Sequence, residues 1–191
     1  MSTAHGIETE VKIRLKDAAS AKQLLTNAGF SISIPRRFEA NTIFDTADQT
    51  LKNSQMLLRL RRIGTDFLIT WKGPYIAGPH KARPELETSI GSLETLQQIL
   101  HALGYGPSFR YEKYRTEYQH PTLPDGTVTL DETPIGVFFE LEGSSDWIDQ
   151  SAALLGFEPA AYVLESYLRL YLDDCSAKGL EPSNMVFPAA P

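Results

Sequence analysis

Apolar and charged residues alternate with a period of two in stretch after stretch of this chain, beginning with Ile7 to Leu15, IETEVKIRL. Glu8, Glu10, Lys12 and Arg14 take one parity; Ile7, Val11, Ile13 and Leu15, with Thr9, take the other. Alternate side chains of a strand leave opposite faces of the sheet, so this stretch predicts a strand with one apolar and one charged face. Arg36 to Asp45 reads as the next strand. Met56 to Ile63 repeats the pattern, Arg59 and Arg61 lying opposite Leu58, Leu60 and Arg62. After a Gly64-Thr65-Asp66 turn, Phe67 to Lys72 sets Phe67, Ile69 and Trp71 against Leu68, Thr70 and Lys72. Arg83, Glu85, Glu87 and Ser89 then alternate with Pro84, Leu86, Thr88 and Ile90. Tyr111, Lys113, Arg115 and Glu117 share a face of Phe109 to Gln119; Asp131 opposes Val128 and Leu130; Glu140 and Glu142 oppose Val137, Phe139 and Leu141.

Four helices are predicted between and after these eight strands. Asp17 caps Ala18 to Ala28, Ser92 caps a helix to Leu103, and two more run from about Trp147 to Leu155 and Ala160 to Asp173. Gly73 to Lys81, with Pro74, Gly78 and Pro79, reads as a loop, and Asp45 to Ser54 as turn-rich. Residues 1–175 form one expected domain, and the proline-bearing stretch 176–191 a mobile tail.

Eight amphipathic strands admit two arrangements. In a sandwich the apolar faces meet and the charged faces are simply solvated. Here the helices need an apolar surface to cover, and the charges come in sets at two-residue spacing. Both facts favour the inverse: a mainly β (α+β) domain, a closed eight-stranded antiparallel barrel with helices packed outside and a polar lumen.

Composition sharpens this picture. The chain has 191 residues, a net charge of -6 and 42% hydrophobic residues, which fits a soluble globular domain. Neither a bilayer-length apolar run nor a secretory leader is evident, so no membrane is expected and the cytoplasm is the default compartment. The single cysteine, Cys175, excludes an internal disulfide. An acidic chain is not expected to hold nucleic acid through its general field. Any polyanion must meet a local basic cluster, and the inward-facing charges supply one. Burying an unpaired ion costs several kcal/mol, so such a lumen must hold water and an ionic ligand. Arginine pairs suit phosphate, and the carboxylates make sense as ligands of a hard divalent cation, Mg²⁺ or Mn²⁺.

These motifs resemble, in family order, the CYTH superfamily or triphosphate tunnel metalloenzymes, which include class IV adenylyl cyclases and thiamine triphosphatases. The resemblance runs from about Gly6 to Leu172 through Glu8-x-Glu10-x-Lys12, Phe44-Asp45-Thr46, Leu58-Arg59-Leu60-Arg61, Trp71-Lys72-Gly73-Pro74, Arg83-x-Glu85-x-Glu87, Lys113-x-Arg115, Leu130-Asp131, Glu140-x-Glu142 and Ser166-Tyr167. It implies that Lys12, Arg59, Arg61, Lys72, Arg83, Lys113 and Arg115 grip a triphosphate. Glu8, Glu10, Asp131, Glu140 and Glu142 would hold metal, and Glu85 and Glu87 would join the metal site or orient the basic residues. Glu8, Glu10, Lys12, Lys72 and Arg115 are the implied catalytic set. The substrate would be ATP, tripolyphosphate or thiamine triphosphate, and related cyclases imply a homodimer. A water nucleophile would make a triphosphatase; a ribose 3′-hydroxyl would make cyclic AMP and pyrophosphate. The rival reading is a non-catalytic polyphosphate- or nucleotide-binding module, for which so many carboxylates are superfluous.

Other residues carry blander expectations. Arg62 is out of phase and belongs at the surface, as do His5, His80, His101 and His120; Arg14 divides evenly between solvated and functional roles. Tyr111 reads as packing or base stacking, while Ser166 and Tyr167 lie on the last helix with a chance of reaching the lumen. Neither a P-loop nor a Gly-x-Ser-x-Gly element occurs.

Overall fold

The computed structural model describes residues 6–188, so His5 lies outside the described residues. Strands β1 (Gly6–Leu15), β2 (Ser31–Asp45), β3 (Leu57–Ile63), β4 (Asp66–Lys72), β5 (Lys81–Ser89), β6 (Gly106–His120), β7 (Leu123–Thr133) and β8 (Gly136–Glu142) pair in the order β5-β4-β3-β2-β6-β7-β8-β1. Pairing of β1 with β5, from Gly6 opposite Glu85 to Glu10 opposite Lys81, closes the barrel. A two-residue strand, β9 (Tyr162–Val163), continues along the same edge of β1 at Lys12 and Ile13.

The apolar faces point outward, as the strand parity predicts. Val11, Ile13, Val128, Leu130, Phe139 and Leu141 form a buried layer with Leu25 of α1 (Ala18–Asn27) and with Trp147 and Ile148 of α4 (Ser145–Leu154). Helix α3 (Leu93–Ala102) covers Phe44 and Leu60 with Leu100. The hydrophobic core is therefore a sleeve between barrel and helices, which leaves the lumen to polar groups. Ser144, Ser92 and Asp17 cap these helices as N-terminal oxygens should.

Several boundaries differ from the sequence reading. Strand β2 starts at Ser31, five residues early, because register shifts around Ile34 absorb Pro35, which has no N–H for the ladder. A short helix, α2 (Thr50–Asn53), occupies the turn-rich stretch, with Asp45 accepting from the backbone N–H groups of Leu51 and Lys52 at 2.9 and 3.0 Å. The last helix, α5 (Tyr167–Lys178), begins later than Ala160, since Ser166 accepts from the Arg169 N–H and the preceding residues form a 3-10 turn and β9.

Of the stretch read as a tail, residues 189–191 lie outside the described residues; within the rest, α5 runs to Lys178, and Met185, 1% exposed, lies against β6. Its N–H donates to Arg110 at 3.0 Å and its carbonyl accepts from Glu112 at 2.9 Å. The reason is an unfilled edge, because β7 pairs with β6 only from Tyr114 onward.

Trp147 locks α4 onto the barrel by lying across Gly126. A Cβ there would sit 2.3 Å from the indole ring, so Gly126→Ala is expected to cost about 1–3 kcal/mol by overpacking. Urea unfolding would register this as a lowered midpoint, and an unchanged midpoint would show that the indole is free to move.

Candidate functional site

Inside the barrel is a cavity of about 1280 Å³. Every residue singled out by the sequence lines it except Asp131: Glu8, Glu10 and Lys12 from β1, Arg59 and Arg61 from β3, Lys72 from β4, Arg83, Glu85 and Glu87 from β5, Lys113 and Arg115 from β6, and Glu140 and Glu142 from β8. Strand register explains the convergence. Arg83 faces Glu8, Lys72 faces Glu85, Lys12 faces Glu140 and Glu10 faces Glu142 across adjacent ladders.

The charges neutralise one another in three groups. In the first, Lys72 donates to Glu8 at 2.6 Å and pairs with Glu85 at 2.9 Å, while Arg59 reaches Glu87 at 3.5 Å and donates to Tyr111 Oη at 3.2 Å. Glu85 and Glu87 thus pair with basic residues, and Tyr111 is a buried partner of Arg59. In the second, Lys12 bonds Glu10 at 2.9 Å and Glu140 at 3.2 Å, and Lys81 also reaches Glu10. In the third, Asp131 accepts from Lys113 at 2.9 Å, from Nε and Nη2 of Arg115 at 2.7 Å each, and from Tyr167 Oη at 2.7 Å. Asp131 is fully buried and outside the cavity wall, with three of these donors on Oδ2 and one on Oδ1. The resemblance implies a metal ligand here; its contacts in this structure are to Lys113, Arg115 and Tyr167.

Electrostatics differ among the carboxylates. Burial, followed by the Glu10 charge, pushes the Glu8 carboxyl up to about 8 against the pull of Lys72. Burial and then Glu140 also raise Glu142, at the cavity rim. Glu10 and Glu140 are desolvated too, but Lys12 with Lys81, and Lys12 with Arg115, hold them below the ordinary range. Carboxylates that raise one another in this way form a hard-oxygen donor set suited in chemistry to a divalent cation. Among the described residues, however, no three of them converge as a ready metal cluster, because ammonium and guanidinium groups occupy their oxygens.

Arg83 stands apart. It is 4% exposed, its guanidinium lies 4.8 Å from the Tyr75 ring, and its Nε and Nη2 have no hydrogen-bond partner among the described residues. A buried, unpartnered guanidinium on a cavity wall is a site for an anion.

Sequence reading missed Glu39 and left His80 and Lys81 at the end of a loop. Glu39, fully buried, lies within 3.8 Å of both Arg61 and Lys113 and 3.4 Å from Arg37. The alternation Arg37, Glu39, Asn41 was its available signal. His80, expected at the surface, is 5% exposed and bonds Asp149 at 2.8 Å. Tyr167 and Ser166 both line the cavity, and Ser166 is also the cap of α5. Arg62 is exposed as expected, and Arg14, also exposed, lies 4.7 Å from the Phe138 ring rather than among the paired charges.

Burial alone would raise the Glu39 pKa, yet Lys113, Arg115, Arg61 and Arg59 hold it at about 2. A depressed carboxylate contributes stability above its unfolded value, near 4.5, and loses it as pH falls toward 2. Between pH 6 and pH 3.5 the loss from this one group is about 1–1.5 kcal/mol. Urea titrations of Glu39→Gln should accordingly show a smaller fall in stability across that interval than the unaltered chain; equal falls would detach Glu39 from the basic cluster.

Comparison with known proteins agrees with this geometry. The CYTH domain family model matches residues 6–155. A Methanocaldococcus jannaschii protein named as a candidate adenylate cyclase is 29% identical over 150 residues, covering 78% of this chain and 83% of its own. A Vibrio parahaemolyticus structure, also titled a candidate adenylate cyclase, superposes with a TM-score of 0.74 at 20% identity, over 87% of this chain and 98% of that one. A Hippeastrum protein superposes with a TM-score of 0.61 at 19% identity, over 87% of this chain and 96% of that one; its title describes a candidate adenylyl cyclase with a dominant triphosphatase activity. With the ordered motifs, the closed barrel and the family model in agreement over most of its length, the chain belongs to the CYTH domain family.

Proposed function

We propose that this protein is a divalent-metal-dependent enzyme that binds a triphosphate in the barrel lumen and cleaves a phosphoanhydride bond. The observation that carries the reading is the unpartnered guanidinium of Arg83, buried in one cavity with Lys12, Arg59, Lys72, Lys113 and Arg115. Cations concentrated on the inner wall of a chain with net charge -6 call for a ligand with several negative charges.

Each group of side chains then has a task. Arg83 and Arg59, on the two strands that flank β4, take phosphoryl oxygens through directed guanidinium bonds. Asp131 and Tyr167 hold Lys113 and Arg115 in place before the ligand arrives, so little reorganisation is needed when charge develops on the leaving phosphate. Glu85 and Glu87 do the same for Lys72 and Arg59. Glu8, Glu10, Glu140 and Glu142 would hold Mg²⁺ or Mn²⁺, which when bound neutralises phosphoryl oxygens and activates the attacking oxygen. No covalent nucleophile is required from the protein.

The family named for the relatives includes both outcomes of attack on such a substrate. Water as nucleophile gives a triphosphatase, acting on tripolyphosphate, ATP or thiamine triphosphate. A ribose hydroxyl attacking the α-phosphorus gives cyclic AMP. Among the described residues no helix is long and apolar enough to cross a membrane.

Products from ATP and from tripolyphosphate, each with Mg²⁺ or Mn²⁺, are resolved by ³¹P NMR. Orthophosphate release is the expected result for a triphosphatase and pyrophosphate with cyclic AMP for a cyclase; ATP and tripolyphosphate bound but unchanged would leave thiamine triphosphate as substrate or the binding-module reading. Arg83→Met is expected to weaken tripolyphosphate binding by about tenfold in calorimetry, the scale of a charge-assisted hydrogen bond. Glu8→Gln should instead lower turnover far more than it lowers triphosphate affinity, and equal turnover would remove Glu8 from the metal site.

A further inference from the structure

The start of β5 brings to the cavity, at the parity of Arg83 and Glu85, a cation that the sequence reading left at the end of a loop. Lys81, the first residue of β5, lines the cavity with its side chain only 10% exposed. Its ammonium contacts Glu10, a carboxylate already bonded to Lys12 at 2.9 Å. One negative charge thus serves two ammonium groups. Lys81 has three N–H donors, and Glu10 is its single hydrogen-bond partner among the described residues.

The preceding residue points the other way. His80 is buried outside the lumen, with Nε2 2.8 Å from Asp149 Oδ1 of α4, and the same oxygen accepts from Tyr162 Oη of β9 at 2.8 Å. The imidazole also lies 5.8 Å, centroid to centroid, from the Tyr162 ring. His80 lies in the bend that leads directly into Lys81 at the start of β5, so tethering the imidazole outside holds the backbone from which the ammonium enters the cavity. The stretch just before it, from Pro74 to Pro79, is exposed. His80 is therefore the buried anchor at the β5 end of this loop.

We propose that Lys81 is a further triphosphate-binding residue and that His80, Asp149 and Tyr162 form the latch that holds its ammonium against the inner wall. The inference rests on the triphosphate reading above. Without an anion in the lumen, Glu10 neutralises Lys81; with one, the unused donors of Lys81 meet a phosphoryl oxygen beside Lys12. Lys81 then binds directly, whereas His80, Asp149 and Tyr162 act through it as positioning residues.

Calorimetric titration with tripolyphosphate, in metal-free buffer and again with Mg²⁺, tests this on the unaltered chain, Lys81→Met, His80→Ala, Asp149→Ala and the double variant Lys81→Met/His80→Ala. Lys81→Met is expected to weaken binding by about tenfold, and His80→Ala and Asp149→Ala by about threefold each. In the Lys81→Met background, His80→Ala should change affinity by less than about twofold while still lowering the melting temperature. Asp149, whose side chain is 49% exposed, keeps the test open if His80→Ala fails to fold. Affinity of Lys81→Met within twofold of the unaltered chain would overturn the proposal, as would multiplicative losses in the double variant. An unaltered chain that binds no tripolyphosphate at all would overturn the triphosphate reading itself, and this inference with it.

Discussion

Charge inside the barrel governs the rest of the architecture. Isolated ions withdrawn from water cost several kcal/mol each, yet Lys12, Arg59, Lys113, Arg115, Glu10, Glu39, Asp131 and Glu140 are all under a tenth exposed. They are tolerable only because strand register sets opposite charges side by side, Lys12 by Glu140 and Arg115 by Asp131. A one-residue slip in any strand would turn its charged set out and its apolar set in. The hydrophobic sleeve of helices and the polar lumen are therefore one constraint seen from two sides.

Pairing is uneven, and the unevenness is where chemistry enters. Asp131 is bonded by three partners, Lys113, Arg115 and Tyr167. Glu8 and Glu142, raised by burial and by neighbouring carboxylates, are the strained members of the acidic set, and Arg83 is the unsatisfied member of the basic one. A lumen with leftover donors and mutually repelling carboxylates is completed by an anion and a cation together. On the proposed reading a metal–triphosphate would supply both, and the free donors and the acidic set would belong to one recognition scheme.

Elements outside the strands refine the wall rather than create it. Asp45 organises α2 at the open end of the cavity, and α5 delivers Tyr167 to Asp131 from beyond the barrel. The segment carrying Met185 completes the free edge of β6 beside Tyr111, so even the terminus contributes to the frame of the site. Helix α4 holds the barrel through Trp147 and the β4–β5 loop through Asp149.

Period-two alternation in the sequence was enough to determine the eight barrel strands, their inward faces and most of the charged residues on the cavity wall, because the side-chain direction of a strand is a local property of backbone geometry. Even Glu39 carried that signal, between Arg37 and Asn41. What parity cannot supply is partnership across the fold. Whether Asp131 meets a metal or two cations and a tyrosine depends on β6 and α5 arriving beside it. Whether His80 is solvated depends on α4 and β9, and whether the terminus is free depends on how far β7 runs along β6. Those outcomes were decided by tertiary structure, since burial and ion pairing are set by groups distant in sequence, whereas the direction in which each strand residue points is set by its immediate neighbours.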